Sequence, residues 1–264
     1  MKAHRGLLRT LAKAVLAGTI AVAGLGLGAV PASALTPNEK FVVKFYEDFL
    51  QRGPSNDEMT WWTTFLASEN RASMTASLFD GAEFENLWVL GTRYYYLGDV
   101  EVEDASFGSD LSALASSGNF VASEVSVLAS APYFDLHDAT NNGYVEGIYN
   151  DVLQRPSDPS GLSYWVGRLN TGTATRAAVA THFIRTNESA NRRVGGATGA
   201  TSCASTELVN EDALPAGSFC IVLDRMVDPS GYAYWGARMA GSGQYPDLWS
   251  SLASSDEYFT NAQL

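Results

Sequence analysis

The sequence predicts an all-α protein made of tandem helical units, about three helices each, packed into one or two helical bodies. Apolar residues recur at helical spacing along most of the chain, and the only short β candidate is residues 100–103. A motif also recurs three times at fixed internal spacing. With 264 residues, of which 46% are hydrophobic, the chain can bury a substantial core.

Residues 1–34 have the pattern of a secretory signal peptide. Four basic residues open the segment, an apolar run covers 14–30, and Ala32 with Ala34 forms a small-x-small cleavage pattern. The alternative is an uncleaved membrane anchor, but the run is short for a span of about 20 residues. We expect cleavage after Ala34, no membrane span afterwards, and a secreted, extracellular or cell-surface-associated protein.

The chain is strongly acidic, with 29 Asp and Glu against 17 Lys and Arg and a net charge of −12. Residues 1–34 contain four basic residues and no acidic ones, so their removal changes the charge to −16. Such a surface repels phosphate backbones and anionic lipids. Nucleic acid is therefore excluded as a partner.

Two cysteines, Cys203 and Cys220, lie in the exported part of the chain. An oxidising compartment favours a disulfide between them. That bond would close a loop rich in Gly, Ser and Thr and contribute about 3 kcal/mol in the chain-entropy model. The alternative is a free nucleophilic thiol.

The recurring motif has an arginine, then an aromatic residue nine positions later and a tryptophan ten positions later. The three copies are Arg52, Trp61 and Trp62; Arg155, Tyr164 and Trp165; Arg225, Tyr234 and Trp235. A degenerate copy fits between the first two. The predicted units are 37–90, a degenerate unit 91–138, 141–194 and 215–264, with a Gly/Ser/Thr-rich loop at 195–214.

Capping signals predict where the helices begin and end. Thr36 and Ser55 each open a capping box, and the first helix should end near Arg52 because a Gly-Pro pair follows. In the third unit, Asp158 should cap the second helix, with a proline at the first helical position. Thr175 can cap the third helix.

One extended pattern links these positions. In the third unit it comprises Tyr149, Leu153, Arg155, Asp158, Gly161, Tyr164, Trp165 and Leu169, and the fourth unit repeats it from Phe219 to Met239. At these residues the sequence resembles a bacterial family, domain of unknown function 4214, which is grouped with the phycobilisome linker domains. The resemblance is weak in 91–138, and the first unit lacks the Asp-Pro-x-Gly. It implies a helical, exported or surface-associated protein and supplies no established catalytic residue.

The recurring residues admit a functional and an architectural interpretation. An Arg–Asp couple could bind a ligand, or Asp could cap a helix while Arg meets that carboxylate or the end of the first helix. The tryptophans could stack on sugars, but each lies on the apolar stripe of its helix. Recurrence favours architecture, because one active site does not need several copies. Structural roles are therefore assigned to Arg52, Arg155, Asp158, Gly161, Trp165, Arg225, Asp228, Gly231, Trp235, Cys203 and Cys220.

Two further segments are candidates for binding. Tyr94, Tyr95 and Tyr96 span about 200° of a helix, so one ring must point away from the core and could contact a glycan or partner. Residues 138–143 resemble the start of a calcium loop, although Thr140 and Tyr149 are wrong at positions 3 and 12. The alternative is a turn in which Asn142-Gly143 supplies positive φ. No cofactor is predicted, with calcium as the minor alternative.

The chain lacks the short motifs of zinc peptidases, serine hydrolases and phosphate-binding loops. We therefore expect a secreted non-catalytic helical repeat protein that contacts cell envelope, an extracellular polymer or protein. The alternative is a secreted polysaccharide or cell-wall hydrolase with paired carboxylates, such as Glu146 or Glu188, in a cleft between units.

Overall fold

A computed structural model describes residues 35–97, 105–195, 218–242 and 245–264. Within these ranges the chain is helical and forms no strand, which confirms the predicted all-α class. None of the described helices is long and apolar enough to cross a membrane. The helices are α1 (Pro37–Leu50), α2 (Asn56–Phe65), α3 (Arg71–Phe79), α4 (Ala82–Leu97), α5 (Ala105–Ser117), α6 (Phe120–Ala129), α7 (Ala131–Leu136), α8 (Asn141–Leu153), α9 (Pro159–Asn170), α10 (Arg176–Ile184), α11 (Asn187–Gly195), α12 (Ser218–Leu223), α13 (Pro229–Ser242), α14 (Tyr245–Ala253) and α15 (Asp256–Asn261).

Several sequence predictions lie outside the described residues. These are the signal peptide, the short β candidate at 100–103 and Cys203. Helix α11 includes Gly195, the first residue of the loop predicted at 195–214, and the rest of that segment lies outside the described residues. Pairing of Cys203 with Cys220 therefore stays a prediction.

The helix starts follow the capping signals in the sequence. Thr36 and Ser55 form complete capping boxes at α1 and α2. Asp158 accepts a hydrogen bond from the Gly161 amide at the start of α9, and Thr175 does the same for Ala178 at α10. Each cap satisfies an amide that the helix itself leaves unpaired.

The third and fourth predicted units hold four helices rather than about three. The extra helices are the short α11 and α15, which follow α10 and α14 closely in the chain. The first turns of α4 hold the corresponding position after α3. This additional helix supplies the acidic partner of the recurring arginine, as shown below.

The apolar side chains form two cores. Core one joins α1–α4 to α12–α15, with further side chains from α5, α6 and α11, so the first and last described segments pack together. Core two is built mainly from α6, α7, α8 and α10, and the partly buried side chains of α9 pack against it. Helix α4 contributes to both cores, with Trp88 in core one and Tyr96 in core two.

Each core contains a seam where a short helix packs on the first helix of another unit. In seam one, α15 packs on α1, and the Tyr258 hydroxyl donates to Asp48 at 2.7 Å. In seam two, α7 packs on α8, and the Tyr133 hydroxyl donates to Asp151 at 2.7 Å. Seam one also joins the first described helix to the residues after the last one, since Lys40 Nζ donates to the Gln263 carbonyl at 3.0 Å.

Buried ion pairs lie close to both cores. Arg93 on α4 meets Asp110 on α5 at 3.0 Å, and Arg193 on α11 meets Glu124 on α6 at 3.3 Å. All four side chains are at most 10% exposed. Because removal of one partner would leave a buried charge uncompensated, these pairs fix how the four helices sit together.

Candidate functional site

The recurring arginines occupy the same position relative to a helix end. Each follows a residue in the left-handed conformation, at φ values of 55°, 53° and 53° for Gln51, Gln154 and Asp224. This turn places the guanidinium over an aromatic ring of the preceding helix. The ring centroids lie 5.0 Å from Arg52 over Tyr46, 5.0 Å from Arg155 over Tyr149, and 5.2 Å from Arg225 over Phe219.

The expected contact between Arg155 and Asp158 is present at 4.0 Å, but each recurring arginine has a closer glutamate partner. Arg155 Nε donates to Glu188 at 2.7 Å, whereas the nearest contact between Arg155 and Asp158 is 4.0 Å. Asp158 is engaged as a helix cap, and its Oδ1 accepts from the Ser160 hydroxyl at 2.6 Å and the Gly161 amide at 2.8 Å. The left-handed turn directs the arginine across to the fourth helix instead.

The same arrangement occurs at the other two arginines. Arg225 donates to Glu257 at 2.8 Å, and Arg52 donates to Glu83 at 2.7 Å. A glutamate thus lies 31 to 33 residues after each arginine. This recurrence is the sequence signal for these carboxylates, although spacing alone does not show that they contact the arginines.

Hydrogen bonding sets the pKa values of the carboxylates beside these arginines and helix caps. The Arg52 guanidinium donates to Glu58 and lowers the pKa of that carboxyl to about 2. The hydroxyls of Ser160 and Ser230, with the backbone amides that follow, lower the pKa of Asp158 and Asp228. Each of these carboxylates has hydrogen-bond partners close by in its own unit, which supports the architectural interpretation.

The glycines of the motif make room for close approach. A Cβ atom at Gly161 would lie 2.1 Å from the Tyr149 hydroxyl oxygen, and one at Gly231 would lie 3.1 Å from Val227. Gly161 therefore lets the ring beneath Arg155 reach the start of α9.

The tryptophans of the motif pack inwards to different extents. Trp62 is 7% exposed, and its Nε1 donates to the Tyr46 hydroxyl at 2.8 Å. Trp165 and Trp235 are half-buried against core two and core one. Of the three tryptophans, only Trp62 is therefore buried, as expected for a residue on the apolar stripe.

The residue before each tryptophan is exposed to solvent. Trp61, Tyr164 and Tyr234 have exposed fractions of 56%, 54% and 57%. Trp61 stacks on Phe65, with ring centroids 5.4 Å apart. We call these three residues the aromatic ledges. The recurring motif includes these residues, but its pattern did not predict that they are exposed in every copy.

An arginine one turn later supports two of the ledges. The Arg168 guanidinium lies 5.5 Å from the Tyr164 ring centroid, and its NH1 donates to the Tyr164 hydroxyl at 2.9 Å. Arg238 lies 5.4 Å from the Tyr234 ring and 5.6 Å from Trp235. Each ledge therefore presents a held aromatic ring, and two present a cation beside it.

The described part of the tyrosine triplet packs inwards. The Tyr95 hydroxyl donates to the Asp151 carbonyl at 2.9 Å, and burial raises its pKa. Tyr96 is buried and donates to Glu124. Neither Tyr95 nor Tyr96 is therefore an exposed ring. The side chain of Tyr94 lies outside the described residues.

The candidate calcium loop forms the cap of α8. Asp138 and Ala139 have φ values of 61° and 49°, so the positive φ does not come from Asn142-Gly143 as expected. The Thr140 hydroxyl accepts from the Gly143 amide at 2.9 Å. Across the part of the chain that the structure describes, no three His, Cys, Asp or Glu side chains are grouped to hold a metal ion.

The two carboxylates named for a hydrolase each have a local partner. Glu146 accepts from the Ser157 hydroxyl at 2.8 Å, and Glu188 pairs with Arg155. Both contacts connect helices or loops of the same unit.

Comparison with known proteins gives one family. Residues 125–193 match the family model described as Domain of unknown function (DUF4214). No curated protein and no solved structure matches the chain. The matched segment includes the motif from Arg155 to Trp165 and both sides of seam two. Residues 125–193 are therefore similar to DUF4214, a domain whose function is unknown.

Proposed function

We propose that the protein is a secreted, non-catalytic binding protein that contacts a polymer or protein of the cell envelope or extracellular matrix. The main observation in support is an exposed aromatic ring at the same position of three units, in Trp61, Tyr164 and Tyr234. A large ring held in solvent leaves apolar area that a partner can cover. Aromatic residues and arginine are also enriched where proteins bind partners.

Repetition of the aromatic ledges can strengthen binding. Three weak contacts on one rigid chain reinforce one another when the ligand presents repeated copies of its own unit. Extracellular polymers and surface arrays have this property. The predicted signal peptide, acidic surface and disulfide suit the same compartment.

The proposal can be tested by co-sedimentation of the full chain with envelopes from the producing organism. The triple variant W61A/Y164A/Y234A should lose most of its retention, and each single variant should lose less, because contacts on one chain act together. Leu136→Ala is the matched control, since Leu136 is 56% exposed and is not a ledge residue. Equal retention of the triple variant and the wild type would refute the role of the ledges.

A further inference from the structure

An open cleft of about 320 Å³ lies between α3, α13 and α14. This volume is at the small end of ligand-binding clefts. Its lining combines an aromatic floor with charged and hydroxyl side chains, including Phe79, Asp80, Arg238, Asp247, Ser250 and Ser251.

We propose that this cleft binds one sugar residue of an uncharged extracellular polysaccharide. The inference deepens the proposed binding function and rests on it, because it names a ligand class for one of the three ledges. The argument depends on the charge of the cleft, its donors and acceptors, and its connection to Tyr234.

Charge excludes anionic ligands. Asp80 and Asp247 outnumber Arg238 in the cleft, and the whole chain carries a net charge of −12. A phosphate, sulfate or uronate would therefore meet a repulsive field. An uncharged ligand avoids this cost.

Sugar hydroxyls suit the polar groups that remain. A hydroxyl group both donates and accepts hydrogen bonds. It can donate to the carboxylates of Asp80 and Asp247 and accept from the Arg238 guanidinium, which are the charge-assisted bonds that contribute most. A purely apolar ligand would instead desolvate these charges without compensation.

Arg238 connects the cleft to the neighbouring ledge. Its guanidinium lies 5.4 Å from the Tyr234 ring centroid, and Tyr234 is 57% exposed. A chain whose one residue stacks on Tyr234 can therefore place a neighbouring residue in the cleft. Arg168 makes the same stack on Tyr164, which is not part of the cleft lining.

The floor of the cleft is rigid. Phe79 is 1% exposed and packs in core one among Phe45, Phe49 and Phe84. Ser250 is held by Thr75, with hydroxyl oxygens 2.9 Å apart. A site held before binding loses less conformational freedom when a ligand enters.

The test is isothermal titration calorimetry of the full chain with cellotetraose and chitotetraose as neutral probes and tetragalacturonate as the anionic probe. At least one neutral probe should bind, and tetragalacturonate should bind more weakly. R238M and D247N should each weaken neutral-probe binding about tenfold or more, the effect expected when one charge-assisted hydrogen bond is lost. Both residues are exposed, so these variants should keep the wild-type circular dichroism spectrum.

Arg185→Met is the matched control and should bind like the wild type, because Arg185 is exposed and lies in neither the cleft nor a ledge. Failure of both neutral probes to bind, a preference for tetragalacturonate, or equal binding by R238M and D247N would overturn the cleft assignment. Envelope retention that depends on the ledges would still stand in those cases. Loss of probe binding in the cleft variants, with full envelope retention of the triple ledge variant, would instead refute the ledges and support the cleft.

Discussion

Seam one and seam two are built from different residues in the same arrangement. In seam one the Tyr258 ring meets Phe41 edge-on at 5.9 Å, and in seam two the Tyr133 ring meets Tyr144 edge-on at 5.8 Å. An arginine lies over the ring after each tyrosine, at 4.5 Å in seam one and 4.4 Å in seam two. Helix α15 thus packs on α1, which is far from it in the chain, in the same way as α7 packs on α8, which follows it directly.

The seams differ in the cation near the shared aspartate. In seam one, Lys44 on α1 lies 2.9 Å from Asp48 and 5.0 Å from the Tyr258 ring centroid. In seam two the equivalent position on α8 is Gly147, and the His137 imidazole fills that space, 3.2 Å from Asp151. A Cβ atom at Gly147 would lie 2.5 Å from this ring. The packing therefore preserves a basic side chain beside the aspartate, whichever helix provides it.

The largest expected effect tests whether the seams are equal in strength. Phe41→Ala and Tyr144→Ala each remove a fully buried ring from equivalent places. Each should cost about 3–5 kcal/mol of unfolding free energy. Calorimetry should show one transition shifted to lower temperature in both variants, because α4 joins the two cores. Two separate transitions in either variant would show that the cores unfold independently.

A second substitution should affect only seam two. Gly143→Ala would place its Cβ 2.2 Å from the His137 carbonyl oxygen, which is backbone and cannot rotate away. Overpacking of this kind costs about 1–3 kcal/mol. The matched variant in seam one is Lys40→Ala, which loses a single hydrogen bond and should cost about 1 kcal/mol. Denaturant titration measures both, and a milder effect for G143A than for K40A would contradict the asymmetry.

A smaller effect separates the two carboxylates near Arg155. Glu188→Gln removes the close ion pair and should cost about 0.5–1 kcal/mol, since both side chains are more than a third exposed. Asp158→Asn retains an effective helix cap and should leave the melting temperature nearly unchanged. The reverse order in thermal unfolding would restore Asp158 as the main partner.

The smallest effect is pH-dependent and lies in the first unit. The folded-state pKa of Glu58 is about 2, below its ordinary 4.5, so its stabilising contribution is complete above about pH 4.5. The contribution is lost as the pH falls through about 2. The melting-temperature difference between wild type and Glu58→Gln should therefore be present at pH 6 and vanish near pH 2. The exposed Glu69→Gln serves as control, and a difference that does not change with pH would contradict the assignment.

Local signals predicted much of the fold correctly. The caps at Thr36, Ser55, Asp158 and Thr175 depend on side chains within three residues of the amide they satisfy, so spacing alone reveals them. The inward position of Trp62 follows from helical periodicity in the same way. The family resemblance rested on the same short-range pattern and is confirmed over residues 125–193.

Long-range contacts were not predictable from spacing. Glu188 lies 33 residues after Arg155, and only the left-handed turn at Gln154 brings the two together. The pairing of α1 with α15 depends on how two cores close, which no local pattern records. The exposure of the ledges was not predictable either, because it depends on which neighbouring helix covers each ring.

The contact of Lys40 with Gln263 shows that core one is closed by residues far apart in the chain, and this affects the order of folding. Core two draws its buried residues from one stretch of the chain, Tyr96 to Ile184, and can form once α10 has been synthesised. Phe41 on α1 packs against Tyr258 and Phe259, so this end of α1 lacks its cover until α15 follows, more than 200 residues later. Such distant contacts form late and slowly. A chain exported in the unfolded state would therefore complete core one only after its last helix has crossed the membrane.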